Sequence, residues 1–226
     1  AGNFIWAKSM GGPSFDEGNS ITVDGSGNVY TTGSFISTVD FDPGAGISNL
    51  TSAGGDDIFI SKLDSEGNFI WAKNMGGTSF DRGISIAVDG SGNVYTTGGF
   101  NGSSDFDPGL STTNLISAGS NDIFISKLGS AGNLIWAKSM GGLSSDFGRS
   151  IVADGSGNIY ISGWFENTVD FNPGNGTTNL TSVGSRDIFI LKLGAVGVGI
   201  LENSFENMPI IYPNPTKDAI NIKLGP

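Results

Sequence analysis

The feature that most constrains this chain is a 65-residue repeat that occurs three times without any change of register. Trp6, Trp71 and Trp136 each lie in a Trp-Ala-Lys motif and are 65 residues apart. Three other landmarks recur with the same period, at residues 23–30, 88–95 and 153–160, at 41–44, 106–109 and 171–174, and at 57–60, 122–125 and 187–190. Constant spacing means that one structural unit is copied, which settles the type of fold before any single residue does.

Composition removes several classes of function. The 226 residues include no Cys and no His, so disulfides, thiol chemistry and histidine-based metal or Ser-His-Asp sites are absent. The net charge of −11, with 11 Lys+Arg against 22 Asp+Glu, argues against a basic face for nucleic acid or anionic lipid. No apolar run approaches the roughly 18–20 residues of a membrane helix. We therefore predict neither nucleic-acid binding nor membrane insertion.

Each repeat is predicted to form four strands. In the second copy these strands cover residues 85–88, 94–100, 122–128 and 134–140, which are rich in β-branched and aromatic residues. The turn Gly90-Ser91-Gly92-Asn93 is typical of a hairpin between the first two strands. No helical periodicity appears in the repeats.

The third strand is apolar on both faces. Because side chains alternate along a strand, Ile123 and Ile125 should face one side of the sheet while Phe124 and Leu128 face the other. A sheet with one face in water would instead alternate apolar and polar residues. This pattern predicts a four-stranded sheet packed between copies of itself, as in the blade of a propeller.

The fourth strand should behave in the same way. Strict alternation places Leu134 and Trp136 on one face, with Ile135 and Ala137 on the other. A β-solenoid is the rival architecture, but the Gly-rich hairpins favour antiparallel pairing over the parallel coils of a solenoid.

We therefore predict an all-β, β-propeller-like chain of three four-stranded antiparallel blades. A lone strand at 1–10 precedes repeats at 11–75, 76–140 and 141–193, and this strand could complete the last blade. Closed propellers typically have about 4–8 blades, so three indicate an open arc or a fragment of a larger ring. Half of a six-bladed ring is the alternative, which leaves a homodimer open. Because the chain opens in the middle of a motif, we expect its natural start to lie upstream.

The repeats resemble a known family. The Asp-Gly-Ser-Gly-Asn-Val-Tyr hairpin, the Asp-Phe-Asp-Pro-Gly loop and the Ile-Phe-Ile-Ser-Lys-Leu strand before Trp-Ala-Lys are similar to the bacterial β-propeller repeat SBBP. The resemblance covers residues 1–193. It implies a propeller fold in a secreted or outer-surface protein of Bacteroidetes-type bacteria, and it implies no particular reaction.

The tail departs from the repeat. Residues 194–208 are predicted to form a linker, and 209–226, with Tyr212-Pro213-Asn214-Pro215-Thr216 before an Ile-Asn-Ile strand, resemble the start of a type IX secretion sorting domain that the chain leaves incomplete. This resemblance implies recognition by the secretion machinery. A Pro-punctuated linker with a short strand is the alternative.

The best metal candidates are paired oxygen side chains in the long loop of each repeat. They are Asp40 and Asp42, Asp105 and Asp107, and Asp170 and Asn172. In an extended segment, residues i and i+2 share a face and could bind one calcium ion. The alternative is a structural turn with the intervening Phe tucked between blades. No cofactor is predicted with certainty.

A second calcium-like pattern is the Asp-Gly-Ser-Gly-Asn hairpin, as in Asp24 to Asn28. Its alternate oxygens suit a calcium loop, but the bidentate Glu of a full loop does not follow. We expect a turn in which Asp and Asn bond their own backbone.

Aromatic and basic residues supply the remaining candidates for ligand contact. Trp164 stands where the earlier copies have Ser34 and Gly99, so it is the residue that we would test first. The repeated tryptophans, by contrast, are expected in the core. The arginines fall at non-equivalent repeat positions and predict no cluster. They are Arg82, Arg149 and Arg186.

Uniform copies suit a repeated or structural surface better than one reactive pocket. The predicted function is therefore a non-catalytic secreted or cell-surface module for binding, adhesion or spacing, with a glycan or a protein as partner. The alternative is a fragment of an extracellular glycan-acting enzyme, because 22 acidic residues offer many carboxylate pairs.

Overall fold

The computed structural model describes residues 2–194, and all regular structure in that range is β. The predicted sorting segment and nearly all of the predicted linker lie outside the described residues. Within residues 2–194 there is no helix that could cross a membrane. The fifteen strands are β1 (Asp16–Val23), β2 (Val29–Phe35), β3 (Thr38–Asp40), β4 (Asn49–Thr51), β5 (Asp57–Leu63), β6 (Phe69–Gly77), β7 (Arg82–Val88), β8 (Val94–Asp105), β9 (Asn114–Leu128), β10 (Leu134–Met140), β11 (Phe147–Ala153), β12 (Ile159–Phe165), β13 (Thr168–Asp170), β14 (Asn179–Thr181) and β15 (Asp187–Leu193).

The strands of residues 2–194 form three antiparallel groups, here called blades 1 to 3, and this is consistent with the three repeats. Blade 1 has the order β1-β2-β5-β6, blade 2 the order β7-β8-β9-β10, and blade 3 the order β11-β12-β15. Every pairing between these strands is antiparallel, which confirms the all-β antiparallel prediction and excludes the parallel solenoid. In the described part of the chain, blade 3 has three strands.

Small ribbons connect the second and third strands of each blade. In blades 1 and 3 they are the separate pairs β3–β4 and β13–β14, whereas in blade 2 they are continuous with β8 and β9. The end of β6 pairs with β8 at Gly76–Asp105 and Gly77–Ser104, so the outer strand of blade 1 is tied to the ribbon of blade 2.

Burial of the third strand on both faces holds neighbouring blades together. Ile123 and Ile125 pack into the core that blade 2 shares with blade 3, while Phe124 and Leu128 pack into the core shared with blade 1. All four side chains are fully buried. The predicted assignment of these residues to opposite faces is confirmed.

The fourth strand differs from strict alternation. Leu134 and Ala137 pack together towards the core of blades 1 and 2, whereas Trp136 packs on the opposite side. The reason is a β-bulge, since Leu134 lies opposite Leu128 while Trp136 already lies opposite Lys127. An extra residue in one strand reverses the faces to which the following side chains point. The prediction that Leu134 and Trp136 share one face of the sheet was therefore wrong.

Residues 2–10 also differ from prediction, because they form no strand. This segment carries the fourth-strand motif, but no third strand of a preceding blade lies beside it. It contacts blade 1 instead, where Trp6 Nε1 donates a hydrogen bond to the Ser65 carbonyl at 3.1 Å. Trp71 makes the same bond to Ser130 of blade 2, at 3.2 Å.

Each hairpin between the first and second strands is fixed by one aspartate. In blade 2, the Asp89 carboxylate accepts hydrogen bonds from the Ser91 and Asn93 backbone N–H groups, the Asn93 amide and the Tyr95 hydroxyl, at 2.8–3.1 Å. The positive φ of Gly92, 79°, completes the turn. The expected Asp/Asn turn is therefore present, and its carboxylate oxygens bind the chain itself.

We predict that Asp89→Ala lowers the free energy of unfolding by about 1–3 kcal/mol, because backbone and side-chain donors lose their acceptor. Ser91→Ala is the matched control, since Ser91 contributes only its backbone N–H and should change stability by less than about 0.5 kcal/mol. Urea denaturation of both variants measures the difference, and equal midpoints would contradict it.

Buried carboxylates lie where blades meet. Asp57 and Asp122 hold equivalent positions, and Oδ1 of each is buried without a hydrogen-bond partner. Burial is the main reason that the pKa of each is raised to about 7, with smaller contributions from the nearby charges of Asp81 on Asp57 and of Asp146 on Asp122. The protonated form therefore favours folding. Its contribution is complete below pH 3.8 and is lost as the pH rises from 3.8 towards 7.

We predict that Asp57→Asn raises the free energy of unfolding at pH 8 by about 2 kcal/mol, because a neutral amide replaces a buried charge. The gain should disappear near pH 4, where the wild-type carboxyl is protonated. Denaturant melts at both pH values measure this. Asp42→Asn, a change that the third repeat already carries as Asn172, is the control outside the blade junctions. A gain that does not depend on pH would contradict the assignment.

Candidate functional site

The two ends of each blade differ in how much they vary between repeats. The first strand runs towards the hairpin and the second returns, so the start of strand one, the end of strand two and the start of strand three lie at the opposite end. The hairpins are nearly identical in the three copies, whereas this opposite end, here called the rim, varies. In the three blades the rim residues are Phe15, Glu17, Asn19, Ser34, Ile36 and Asp56; Phe80, Arg82, Ile84, Gly99, Asn101 and Asn121; and Ser145, Phe147, Arg149, Trp164, Glu166 and Arg186.

Trp164 is the centre of a stacked cluster on the rim of blade 3. The Arg186 guanidinium lies 3.7 Å from the centre of the Trp164 ring, and Phe147 lies 5.2 Å from it, tilted by 32°. Arg149 is 6.0 Å from the Trp164 ring and 5.4 Å from the Phe147 ring. Arg186 Nε also donates to Glu166 Oε1 at 2.8 Å. Cation–π contacts of this kind fix the orientation of the guanidinium groups.

This cluster corrects the expectation that the arginines would not come together. Arg149 lies on strand one and Arg186 directly precedes strand three, and both strands flank the strand that carries Trp164. Side chains at non-equivalent repeat positions, from neighbouring strands of one blade, therefore lie against the same ring. The third arginine, Arg82, forms an ion pair with Asp56 of blade 1 at 2.6 Å.

A shallow depression of about 250 Å³ lies on the rim between blades 2 and 3. Its lining combines two aromatic rings with a guanidinium and an amide, from Phe80, Arg82, Asn121 and Phe147, and also includes Gly99. A Cβ on Gly99 would lie 2.3 Å from Phe147, so this glycine makes room for the ring. The depression is continuous with the Trp164 cluster through Phe147.

The predicted calcium ligands lie in tight loops and accept bonds from their own backbone. Asp40 Oδ1 accepts from Asp42 N and Ser48 N, which lowers the pKa of Asp40, and the Asp42 side chain accepts from Gly44 N. Asp105 with Asp107, and Asp170 with Asn172, repeat this arrangement. Phe41, between the first pair, is buried. These hydrogen bonds are the ones expected of a structural turn, which was the alternative to a calcium site.

Among residues 2–194 no group of three or more Asp or Glu side chains could hold a metal ion. Calcium binding by the loops thus remains a prediction from sequence. The repeated tryptophans are half-buried, and Trp71 and Trp136 pack against the two shared cores.

Sequence reasoning found Trp164 but missed its neighbours. Phe147, Arg149, Glu166 and Arg186 all differ from their counterparts in the other two repeats, as Trp164 does. Comparing the copies position by position would have selected all five. Only the strand order shows that they touch.

Comparison with known proteins agrees with the geometry of the repeats. Residues 5–34 and 115–164 match the family described as Beta-propeller repeat, SBBP. "Uncharacterized WD repeat-containing protein L264" of Acanthamoeba polyphaga mimivirus is 30% identical over 200 residues, which cover 76% of this chain and 14% of that protein. "Regulatory protein FlaEY" of Caulobacter vibrioides is 26% identical over 160 residues, which cover 69% of this chain and 16% of that protein.

The chain thus corresponds to a small part of each relative. Neither relative is a Bacteroidetes protein, so they add nothing to the origin that the resemblance implies. Together with the antiparallel blades, the two matched segments support the β-propeller repeat family for these repeats.

Proposed function

We propose that this chain is a non-catalytic binding module that recognises a protein partner through its rim. One observation carries the proposal: five of the six rim residues that set blade 3 apart from the other blades form a single contact cluster around Trp164. Copies of one unit need the same core residues to fold. Side chains that differ between copies and gather on one surface are therefore the ones free to serve recognition.

The composition of the cluster suits recognition of a protein segment. Trp and Arg are enriched among the residues that dominate binding energy at protein interfaces. Arg186 and Arg149 lie on the solvent-exposed part of the cluster, and stacking on aromatic rings restricts their guanidinium groups. Pre-ordered guanidinium groups bind carboxylates at a smaller entropic cost. We infer that the partner segment carries Asp or Glu side chains next to an apolar residue.

The comparisons support an interaction role in a general way. One relative is named as a WD repeat-containing protein, and WD repeats form propeller blades. The near-identity of the three units and the absence of His support a role without catalysis. The SBBP resemblance and the Tyr212-Pro213-Asn214-Pro215-Thr216 motif support a secreted or outer-surface setting, in which adhesion or spacing would be the biological use.

We predict that peptides selected by the wild-type chain from a displayed random library are rich in Asp and Glu. Trp164→Ser and Arg149→Asn should each weaken their binding at least about tenfold, since hot-spot side chains contribute about 2 kcal/mol or more. Both changes install the residue that blade 1 carries at the same position, Ser34 or Asn19, so the blade should still fold. Titration of a labelled selected peptide measures the affinity.

Ser156→Ala, in the hairpin at the opposite end of blade 3, is the matched control and should bind the peptide as the wild type does. Equal binding by all three variants would contradict a rim site. A parallel glycan array and hydrolase assay tests the enzyme alternative. Glycan turnover that a single Asp or Glu substitution abolishes would reject a non-catalytic role.

A further inference from the structure

The rim depression between blades 2 and 3 has a counterpart between blades 1 and 2, with a volume of about 560 Å³. We call this counterpart the first depression and the one between blades 2 and 3 the second depression. The same five repeat positions line both. In the first depression their residues are Phe15, Glu17, Ser34, Asp56 and Arg82, and in the second they are Phe80, Arg82, Gly99, Asn121 and Phe147. Because the positions are equivalent, the depression arises from the way in which successive blades pack, and both internal junctions offer a partner a similar concave surface.

The two depressions and the Trp164 cluster form one continuous path. Arg82 lines both depressions, so they are adjacent along the rim. Phe147 lines the second depression and also lies 5.2 Å from the centre of the Trp164 ring. The first depression, the second depression and the cluster therefore follow one another across the three blades. A partner segment that lies along this path can contact all three in order.

The lining of the first depression is acidic. Three carboxylates, those of Asp16, Glu17 and Asp56, line it together with one guanidinium, that of Arg82, which leaves two negative charges in excess. The guanidinium is held by Asp56 Oδ2, through Nη2 at 2.6 Å and Nε at 2.7 Å. Glu17 is exposed, so its carboxylate is accessible to a partner. A Lys or Arg side chain is the occupant whose charge complements this lining.

The second depression has no carboxylate in its lining. Asn121 stands at the position of Asp56, and Phe147 at the position of Arg82, so the lining contains two aromatic rings. Its one charged group, the Arg82 guanidinium, is already paired with Asp56. The ring of Phe80 is 58% exposed, and an apolar occupant would remove this surface from water. An aromatic or large apolar side chain therefore suits the second depression, and a cation does not.

The distance between blades determines which residues of a partner can reach successive sites. Sheets that pack face to face lie about 10 Å apart. A polyproline II segment rises about 3.1 Å per residue with three residues per turn, so its residues i and i+3 point the same way at a separation of about 9 Å. In a β-strand, residues i and i+3 point to opposite sides. The polyproline II conformation therefore matches the blade spacing with side chains on one side.

We propose that the partner segment lies along the rim in a polyproline II-like conformation, with a basic side chain in the first depression, an aromatic or large apolar side chain in the second and an acidic side chain at the Trp164 cluster. These three side chains are about three residues apart in the partner sequence. The inference rests on the proposed function, in which the rim binds a protein segment, and it adds the order, the chemistry and the spacing of the side chains that are recognised.

Peptide selection tests the order and the spacing. Peptides that the wild-type chain selects from a displayed random library should align with a basic, an aromatic or apolar, and an acidic residue in this order along the array. Successive members should be about three residues apart, in either chain direction. Selected peptides that share acidic residues but no basic residue at a fixed distance from them would overturn the proposal.

Substitutions in each depression test the contacts with a labelled selected peptide. Glu17→Gln should weaken binding about two- to fivefold, as expected for an exposed charge pair. Phe80→Ser, which installs the residue that blade 3 carries as Ser145, should weaken it at least about tenfold. Ser91→Ala, in the hairpin at the opposite end of blade 2, is the control and should bind as the wild type does. Circular dichroism should be unchanged in all three variants, because both rim side chains are exposed.

A double-mutant cycle assigns the basic residue of the peptide to the first depression. Replacing that residue by Gln should weaken binding to the wild-type chain and cause no further loss on Glu17→Gln, because the two charges act on each other. Equal losses on both proteins would separate the two residues and overturn the assignment.

Trp164→Ser distinguishes a failure of this inference from a failure of the proposed function. If Trp164→Ser weakens the peptide while Glu17→Gln and Phe80→Ser do not, the rim binds a protein segment at blade 3 alone, and the path across three blades is wrong. If none of the three variants changes the affinity, both the inference and the rim function are wrong.

Discussion

The structure depends on third strands whose two faces are buried against different neighbours. Ile123 and Ile125 belong to one core while Phe124, between them in sequence, belongs to the next. Each sheet therefore lies between two hydrophobic cores and contributes side chains to both. No blade buries its apolar residues without a neighbouring blade. Stability then comes from junctions between neighbours.

This arrangement divides each blade into a frame and a surface. The frame comprises the hairpins, each held by one aspartate, and the doubly buried strands, and it tolerates little change. The rim lies outside both, so Ser34, Gly99 and Trp164 can occupy one position in three blades. Rim positions are not wholly independent, however. Phe147 of blade 3 reaches over blade 2 and fits because Gly99 has no side chain.

Much of the fold could be predicted from the sequence, because a repeat with fixed spacing and a strand that is apolar on both faces leave few architectures. The Asp/Asn hairpin was also predictable, since its bonds are local. The bulge at Ile135 was not, because one inserted residue changes the facing of a strand without changing its composition. Residues 2–10 follow the fourth-strand pattern and still form no strand, because pairing needs a partner that sequence pattern does not report. The rim cluster needed the strand order, which alone brings Arg149 and Arg186 to the same ring.

The chemical sameness of the two internal junctions has an evolutionary consequence. Ser20 bonds to Ile86 as Ser85 bonds to Ile151, and the paired isoleucines enter equivalent cores. Unequal recombination between copies, which removes or adds whole multiples of 65 residues, would therefore join surfaces that already fit. Array length can change in a single genetic event without a new interface, while point substitutions diversify the rim separately in each copy.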